Sequence, residues 1–393
     1  MNPSSSSLAR PEPSARAARI AVSVIFFING FGFASWVPHI PTVQARLGLG
    51  PSRLGLALLG VAVGALASMP LSGAMVARWS SRAVTLGASL LFCALVALPV
   101  RAPDFPLLVA ALVGLGAASG TMDVAMNAHA VAVEKRMGRP VMSSFHALYS
   151  LGGLAGSGGS ILWLSQGLTP PVHMVGVAVL CLVSVLGAAR FLLPSVPEEA
   201  AGGAGHSFAL PRGALLTLGL LTFMVLMVEG AMADWSAVYL RQSLGAEAGV
   251  AGAGYAVFSL AMATGRLTGD RLTQGLGPTT LLRVGASLAA GGLGGALLLH
   301  HPVAALVGFG CVGLGLSNLI PVLFSAAGRM PGLSPGVGIA AVSTTGYGGF
   351  LVGPPLVGSL AEQTGLPLAL GVFVLFLALV AMNGSRVRAG AAR

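Results

Sequence analysis

Along most of this chain, polar residues are brief interruptions between long apolar runs. Pro140 to Ala189 contains no Asp, Glu, Lys or Arg, and neither does Val284 to Gly328. Each stretch is long enough for two bilayer-spanning helices, because one crossing needs ~20 apolar residues. Charges, prolines and turn residues between the apolar runs divide the chain into twelve expected helices: 20–40, 54–76, 83–101, 107–132, 142–164, 172–192, 214–239, 249–267, 279–299, 303–325, 335–358 and 366–385. The division between the ninth and tenth rests on His300, His301 and Pro302. Arg16 and Arg19 precede the first run as the basic start of a signal peptide would. The run from Ile20 to Pro41 is longer than a typical signal-peptide core, however, and its features recur later in the chain, so it reads as part of the fold.

The recurrence has a period of half the chain. Trp36 is matched by Trp235, an offset of 199, and Leu47-Gly48 by Leu244-Gly245, an offset of 197. Gly87-Ala88-Ser89 returns as Gly285-Ala286-Ser287, an offset of 198, and Val113-Gly114-Leu115-Gly116 as Val312-Gly313-Leu314-Gly315, an offset of 199. Gly152-Gly153 returns as Gly348-Gly349, an offset of 196. Five matches in order at a nearly constant offset indicate internal duplication, with each span n paired to span n+6.

Composition fits a membrane-embedded chain. The 393 residues are 55% hydrophobic and only 8% charged, with a mean hydropathy of +0.87. A soluble domain of this size needs more charge on its surface. The 57 glycines would weaken soluble helices, but small residues let membrane helices approach closely. The net charge of +10 does not point to nucleic acid, since no segment combines basic residues with interleaved aromatics. With the N-terminus placed inside, 17 of the 21 Lys and Arg fall in inside segments, and only Arg46, Arg53, Arg101 and Arg241 fall outside. Such a bias fixes orientation and supports an even number of spans. Trp36, Trp79, Trp163 and Trp235 fall at span ends, at headgroup level. Cys93, Cys181 and Cys311 lie within apolar runs, with no disulfide or metal spacing. No cofactor motif, metal site or nucleophile–base pair is present to suggest an enzyme.

Two parallel six-helix halves resemble the major facilitator superfamily, and short motifs sharpen the likeness. Between spans two and three the superfamily carries Gly, three residues, Asp-Arg, one residue, Gly-Arg, then Arg or Lys. Here the same place reads Gly73-Ala-Met-Val-Ala77-Arg78-Trp-Ser80-Ser81-Arg82, keeping Gly73, Arg78 and Arg82 but not the Asp. The counterpart between spans eight and nine, Gly265-Arg266-Leu-Thr-Gly269-Asp270-Arg271, keeps the Asp-Arg pair. Gly73, Arg78, Arg82, Asp270 and Arg271 are therefore expected to gate the inner face, Asp270–Arg271 by locking helix ends through charge-assisted hydrogen bonds. Span five is Gly-rich but lacks the Pro found in the drug/proton antiporter branch. Gly120-Thr-Met-Asp123-Val-Ala-Met-Asn127-Ala-His129 in span four is similar to the fucose and sugar permease neighbourhood and to uncharacterised bacterial inner-membrane relatives.

The resemblance implies an all-α membrane protein of twelve transmembrane helices in two pseudo-symmetric bundles, 20–193 and 213–385. A cytoplasmic tail (1–19), a cytoplasmic linker (194–212) and a C-terminal cytoplasmic tail (386–393) complete the chain. It further implies a monomer in the cell inner membrane, surrounded by lipid, that moves a small-molecule substrate by alternating access.

Asp123 and Glu229 are acids deep in spans four and seven, which line the central cavity in that superfamily. Each costs ~2.5–3.5 kcal/mol or more near a helix centre. Poor hydration penalises the charged form of a carboxyl, which suits such a group to bind and release protons. No Lys or Arg lies in the core of either span to hold it ionised. The two acids are the expected proton-coupling groups, against the alternative of structural carboxyls bonded to a neighbouring helix. Asn29, Asn127, His146, Tyr149, Asn318 and Tyr347 are the expected substrate contacts, since a sugar would suit amides, carboxylates and aromatic rings. The reading is a proton-coupled secondary transporter of a small polar solute. A drug or metabolite antiporter and a transporter-like sensor are the alternatives.

Overall fold

The computed structural model describes residues 13–49, 51–167, 169–194, 212–246 and 248–385. The expected N-terminal tail to residue 12, the linker from 195 to 211 and the C-terminal tail from 386 lie outside the described residues. What is described is helical, with no strand. The first six spans are α1 (Ala15–Trp36), α2 (Pro51–Trp79), α3 (Ser81–Leu95), α4 (Phe105–Met137), α5 (Met142–Ser165) and α6 (Pro170–Ala189). The second six are α7 (Ala214–Val238), α8 (Ala248–Leu276), α9 (Pro278–Leu299), α10 (Pro302–Ala327), α11 (Pro335–Thr364) and α12 (Leu366–Asn383). A short helix, Ile40–Arg46, follows α1, and α10 is broken at Ser317 and Asn318 into Pro302–Leu316 and Leu319–Ala327.

The duplication is visible in the packing. In the first half α1 packs on α5, α2 and α3 on α4, and α3 on α6. In the second half α7 packs on α11, α8 and α9 on α10, and α9 on α12, the same pairs shifted by six. Glycine makes the closest of these approaches. The Cβ that Gly152 lacks would strike the Phe27 carbonyl of α1, and the one Gly349 lacks would meet the Phe223 carbonyl of α7. The two halves meet through α2 against α11 and α5 against α8.

Among the described residues, nine spans are apolar and long enough to cross a membrane on those criteria alone; α5, α8 and α11 are not among them. These three face partner helices across the junction between halves; all are rich in glycine, and α8 and α11, though not α5, also carry charged residues. The helices also outrun the expected spans. α8 continues to Leu276 instead of ending near 267, and α4 continues to Met137. A hydropathy limit marks where lipid ends, whereas the backbone ladder continues into polar surroundings.

Candidate functional site

Asp123 lies near the middle of α4 and Glu229 near the middle of α7, so each half contributes one acid at a similar depth. The four-residue spacing between Asp123 and Asn127 puts both on one helix face. The Asn127 amide donates to the Asp123 carbonyl at 2.8 Å and to its Oδ1 at 3.1 Å. His146 of α5 meets Asn127 Oδ1 through Nε2 at 3.2 Å. The His146 ring packs edge-on against Phe26 of α1 and Phe324 of α10, with centroids 5.3 and 6.1 Å away. Asp123 Oδ2 is buried with no hydrogen-bond partner among the described residues. The Tyr347 hydroxyl of α11 approaches this carboxyl without closing a regular bond.

Glu229 has a partner that neither acid's own span supplies. Arg266 of α8 places Nη2 3.8 Å from Glu229 Oε1, with the two side chains 11% and 25% exposed. The same guanidinium donates through Nη1 to Ser150 Oγ of α5 at 2.7 Å, and through Nε to the Ser317 carbonyl at 3.3 Å. That carbonyl sits at the break in α10. One cation therefore ties α7, α8 and α10 of the second half to α5 of the first. Tyr149, 36% exposed, interacts electrostatically with Asp123, Glu229 and Arg266, and completes a cluster contributed by both halves.

Below this cluster, toward the face where α1 begins, polar contacts join the halves in two further layers. One turn past Arg266, Asp270 accepts the Ser144 backbone N–H of α5 on both carboxylate oxygens at 3.2 Å. Deeper still is Glu134, 11 residues beyond Asp123 on α4, about 16 Å at the helical rise. Gly138, with φ of 63°, ends α4 and turns the chain so that the start of α5 comes back onto Glu134. Its buried carboxylate accepts the Val141 and Met142 backbone N–H groups at 2.9 and 3.1 Å. It also accepts the Ser325 hydroxyl of α10 at 2.6 Å and pairs with Arg329. Beside these, Gly73 of α2 faces Ala340 and Gly336 of α11 so closely that a Cβ would clash with both. This face is closed.

The family model of the Major Facilitator Superfamily matches residues 22–334. The chain belongs to the major facilitator superfamily. An uncharacterized transporter of this type from Yersinia pestis is 40% identical over 94% of this chain and 95% of its own length. A chloramphenicol resistance protein from Streptomyces lividans is 28% identical over 87% of this chain and 89% of its own. The superfamily member FucP, solved in its outward conformation, superposes with a TM-score of 0.81 at 17% identity, covering 95% of this chain and 99% of that one. FucP is described in a second structure as the E. coli fucose:proton symporter, with a TM-score of 0.75 at 17% identity over 95% and 98% of the two chains.

As a member of the superfamily, the protein is a multi-pass membrane transporter, and its structure sorts the expected site residues. Asp123, Asn127, His146, Tyr149, Glu229 and Tyr347 come together. Asn29 and Asn318 do not join them. Asn29 is buried between α1 and α4, accepting from Ser119 Oγ at 3.2 Å and reaching Met126 Sδ at 3.8 Å. Asn318 donates to the Gly265 carbonyl and to Ser317 Oγ at the α10 break. Asn29 thus bridges α1 to α4, and Asn318 bridges the α10 break to α8.

The gating motif is also redistributed. Asp270 caps α5 instead of pairing with Arg271, which is exposed. Arg82 donates to the Ala189 carbonyl within its own half, and Arg78 lies over the Trp79 ring at 5.8 Å. Arg266, Glu134 and Arg329 were not singled out by the sequence. One signal for Arg266 was available: it precedes Asp270 by a full helical turn, which places its charge deeper than a loop residue.

Proposed function

We propose that this protein is a proton-coupled secondary transporter of a small, polar, sugar-like solute, with Asp123 and Glu229 as the groups that carry the proton. The observation that carries this reading is the pairing of one membrane-embedded carboxyl from each half around a single layer of tyrosines, amide and guanidinium. Such a layer offers hydrogen-bond acceptors, donors and ring faces to a hydroxylated solute. The positive-inside bias supports a cytoplasmic position for the closed face and both termini, and the proposed setting is the cell inner membrane, with the protein working as a monomer.

Ionised Glu229 attracts Arg266 and keeps its guanidinium at the α5–α8 contact through Ser150. Protonating Glu229 removes that attraction, and a solute bonded to Asn127, Tyr149 and Tyr347 displaces the remaining contacts. The opposite face can then close over the loaded site and the layers beneath part, so that solute leaves to the cytoplasm. Release of the proton to the cytoplasm restores the Glu229–Arg266 pair and the closed inner face. A membrane potential adds ~2.3 kcal/mol per 100 mV for each proton carried.

The test uses proteoliposomes, after a thermal-shift screen of sugars, sugar acids, nucleosides and drugs has found a stabilising solute. Asp123→Asn and Glu229→Gln are each expected to keep solute exchange at equal pH while losing concentrative uptake by at least about tenfold. Wild-type accumulation in both variants would remove the proton role. A second reading, export of amphipathic compounds against protons, is favoured by the likeness to the chloramphenicol resistance protein. Proton-driven extrusion of chloramphenicol, with no sugar bound in the screen, is the result that would select it.

A further inference from the structure

We propose that the protein carries a binding site for an anionic glycerophospholipid in the groove between the start of α1 and the α4–α5 turn. This groove encloses about 670 Å³ and is separate from the central cluster. Its rim holds three arginines, Arg16 and Arg19 on the first turns of α1 and Arg139 in the turn after α4. Among the described residues its lining contains no acid. The wall beneath is apolar: Ile20, Val24 and Phe27 form a stripe on α1 at helical spacing, and Leu148 faces them from α5.

The arrangement matches an amphiphile. Ile20 is 66% exposed, and Leu151 and Leu154 farther along α5 are 38% and 73% exposed, so the groove opens onto the lipid side of the bundle. From Arg16 to Phe27 the stripe runs about 16 Å along the helix, roughly one leaflet of a ~30 Å hydrocarbon core. Three guanidiniums at the headgroup level suit a phosphate, which planar Arg forks bind in a bidentate manner. The Ser23 hydroxyl lies just below, at the depth of the glycerol esters. A soluble anion would use the arginines but leave the apolar wall without a role. Substrate is served by the central layer on the other side of α1 and α5.

The site also touches the inner closure. Arg19 donates to Ser144 Oγ at 3.2 Å, and the backbone N–H of Ser144 is the group that Asp270 holds from the other half. A phosphate on Arg19 is therefore one residue away from the contact that joins α5 to α8.

Native mass spectrometry of the full chain released from nanodiscs tests the proposal. The discs contain phosphatidylglycerol diluted in phosphatidylcholine. One phosphatidylglycerol is expected to stay bound to the wild type. Arg16→Gln/Arg139→Gln should lower its affinity about 30-fold, at roughly fivefold per basic residue near the surface. Leu148→Trp, which keeps every charge and fills the apolar part, should also displace it. Arg283→Gln, an exposed arginine elsewhere, should leave it bound. Equal loss on Arg283→Gln would reduce the effect to general surface charge and overturn the site. So would retention in Leu148→Trp, or displacement by millimolar glycerol 3-phosphate or inorganic phosphate.

Discussion

Replacing Arg266 with Met should slow solute exchange by about 100-fold, a larger loss than either amide variant causes. Arg266 is the cation that links Glu229, Ser150 and the Ser317 carbonyl across both halves. Deleting it strands the Glu229 carboxylate in a poorly hydrated layer and leaves the α10 break without its donor. Removing one partner of a buried ion pair costs ~3–5 kcal/mol. Glu229 keeps 25% exposure, so water recovers part of that, leaving about 2–3 kcal/mol.

Arg266→Lys should fall between, because an ammonium keeps the charge but cannot serve three acceptors with fork geometry. Arg266→Met/Glu229→Gln should recover exchange relative to Arg266→Met alone, since neither charge is then left unpaired, while remaining unable to concentrate solute. Exchange assays with these three variants check the ordering. Wild-type exchange in Arg266→Met would refute the role given to the pair.

The second large effect is expected at Glu134. Its carboxylate serves two backbone N–H groups, a hydroxyl from the other half and Arg329. Glu134→Ala removes all four contacts, and leaving buried donors without an acceptor costs ~1–3 kcal/mol for each uncompensated group. Only the Ser325 and Arg329 contacts join the halves, so those two bear on the equilibrium between closed and open inner faces. A shift of about 2 kcal/mol would move that equilibrium roughly 30-fold. Spin labels at Lys135→Cys and Gln274→Cys, exposed sites on opposite halves, report the separation of the inner ends. Glu134→Ala is expected to move most of the distance distribution to longer values. Glu134→Gln should move less of it, because the amide oxygen still accepts from Ser325. An unchanged distribution in Glu134→Ala would mean that Gly73 packing and Asp270 hold the face shut without Glu134.

The contrast between Glu229 and Glu134 shows what could be read from the amino-acid sequence. Span count, duplication and family follow from patterns repeated over hundreds of residues, and α-helical periodicity survives local exceptions. Asp123 and Glu229 stood out because each is an acid deep in an apolar run. Glu134 did not, since it lies beside Lys135 and Arg136, where an ordinary inner loop would begin. Only the turn at Gly138 folds α5 back over it. Arg266 was likewise counted as orientation charge: its place a turn before Asp270 was the one local signal, and the structure adds that α8 runs to Leu276 and leaves this residue ten positions inside the helix. Asn29 and Asn318 were expected at the substrate layer because amides suit the hydroxyls of a sugar. Packing between helices uses them equally well, and distinguishing the two outcomes requires knowing which face of each helix meets its neighbour.

Recording external pH while solute is added to proteoliposomes with no starting gradient addresses the proton-carrying role of Asp123 and Glu229 most directly. The account predicts alkalinisation that tracks solute entry in the wild type and disappears in Asp123→Asn/Glu229→Gln. Solute entry at the wild-type rate with no accompanying pH change would contradict it.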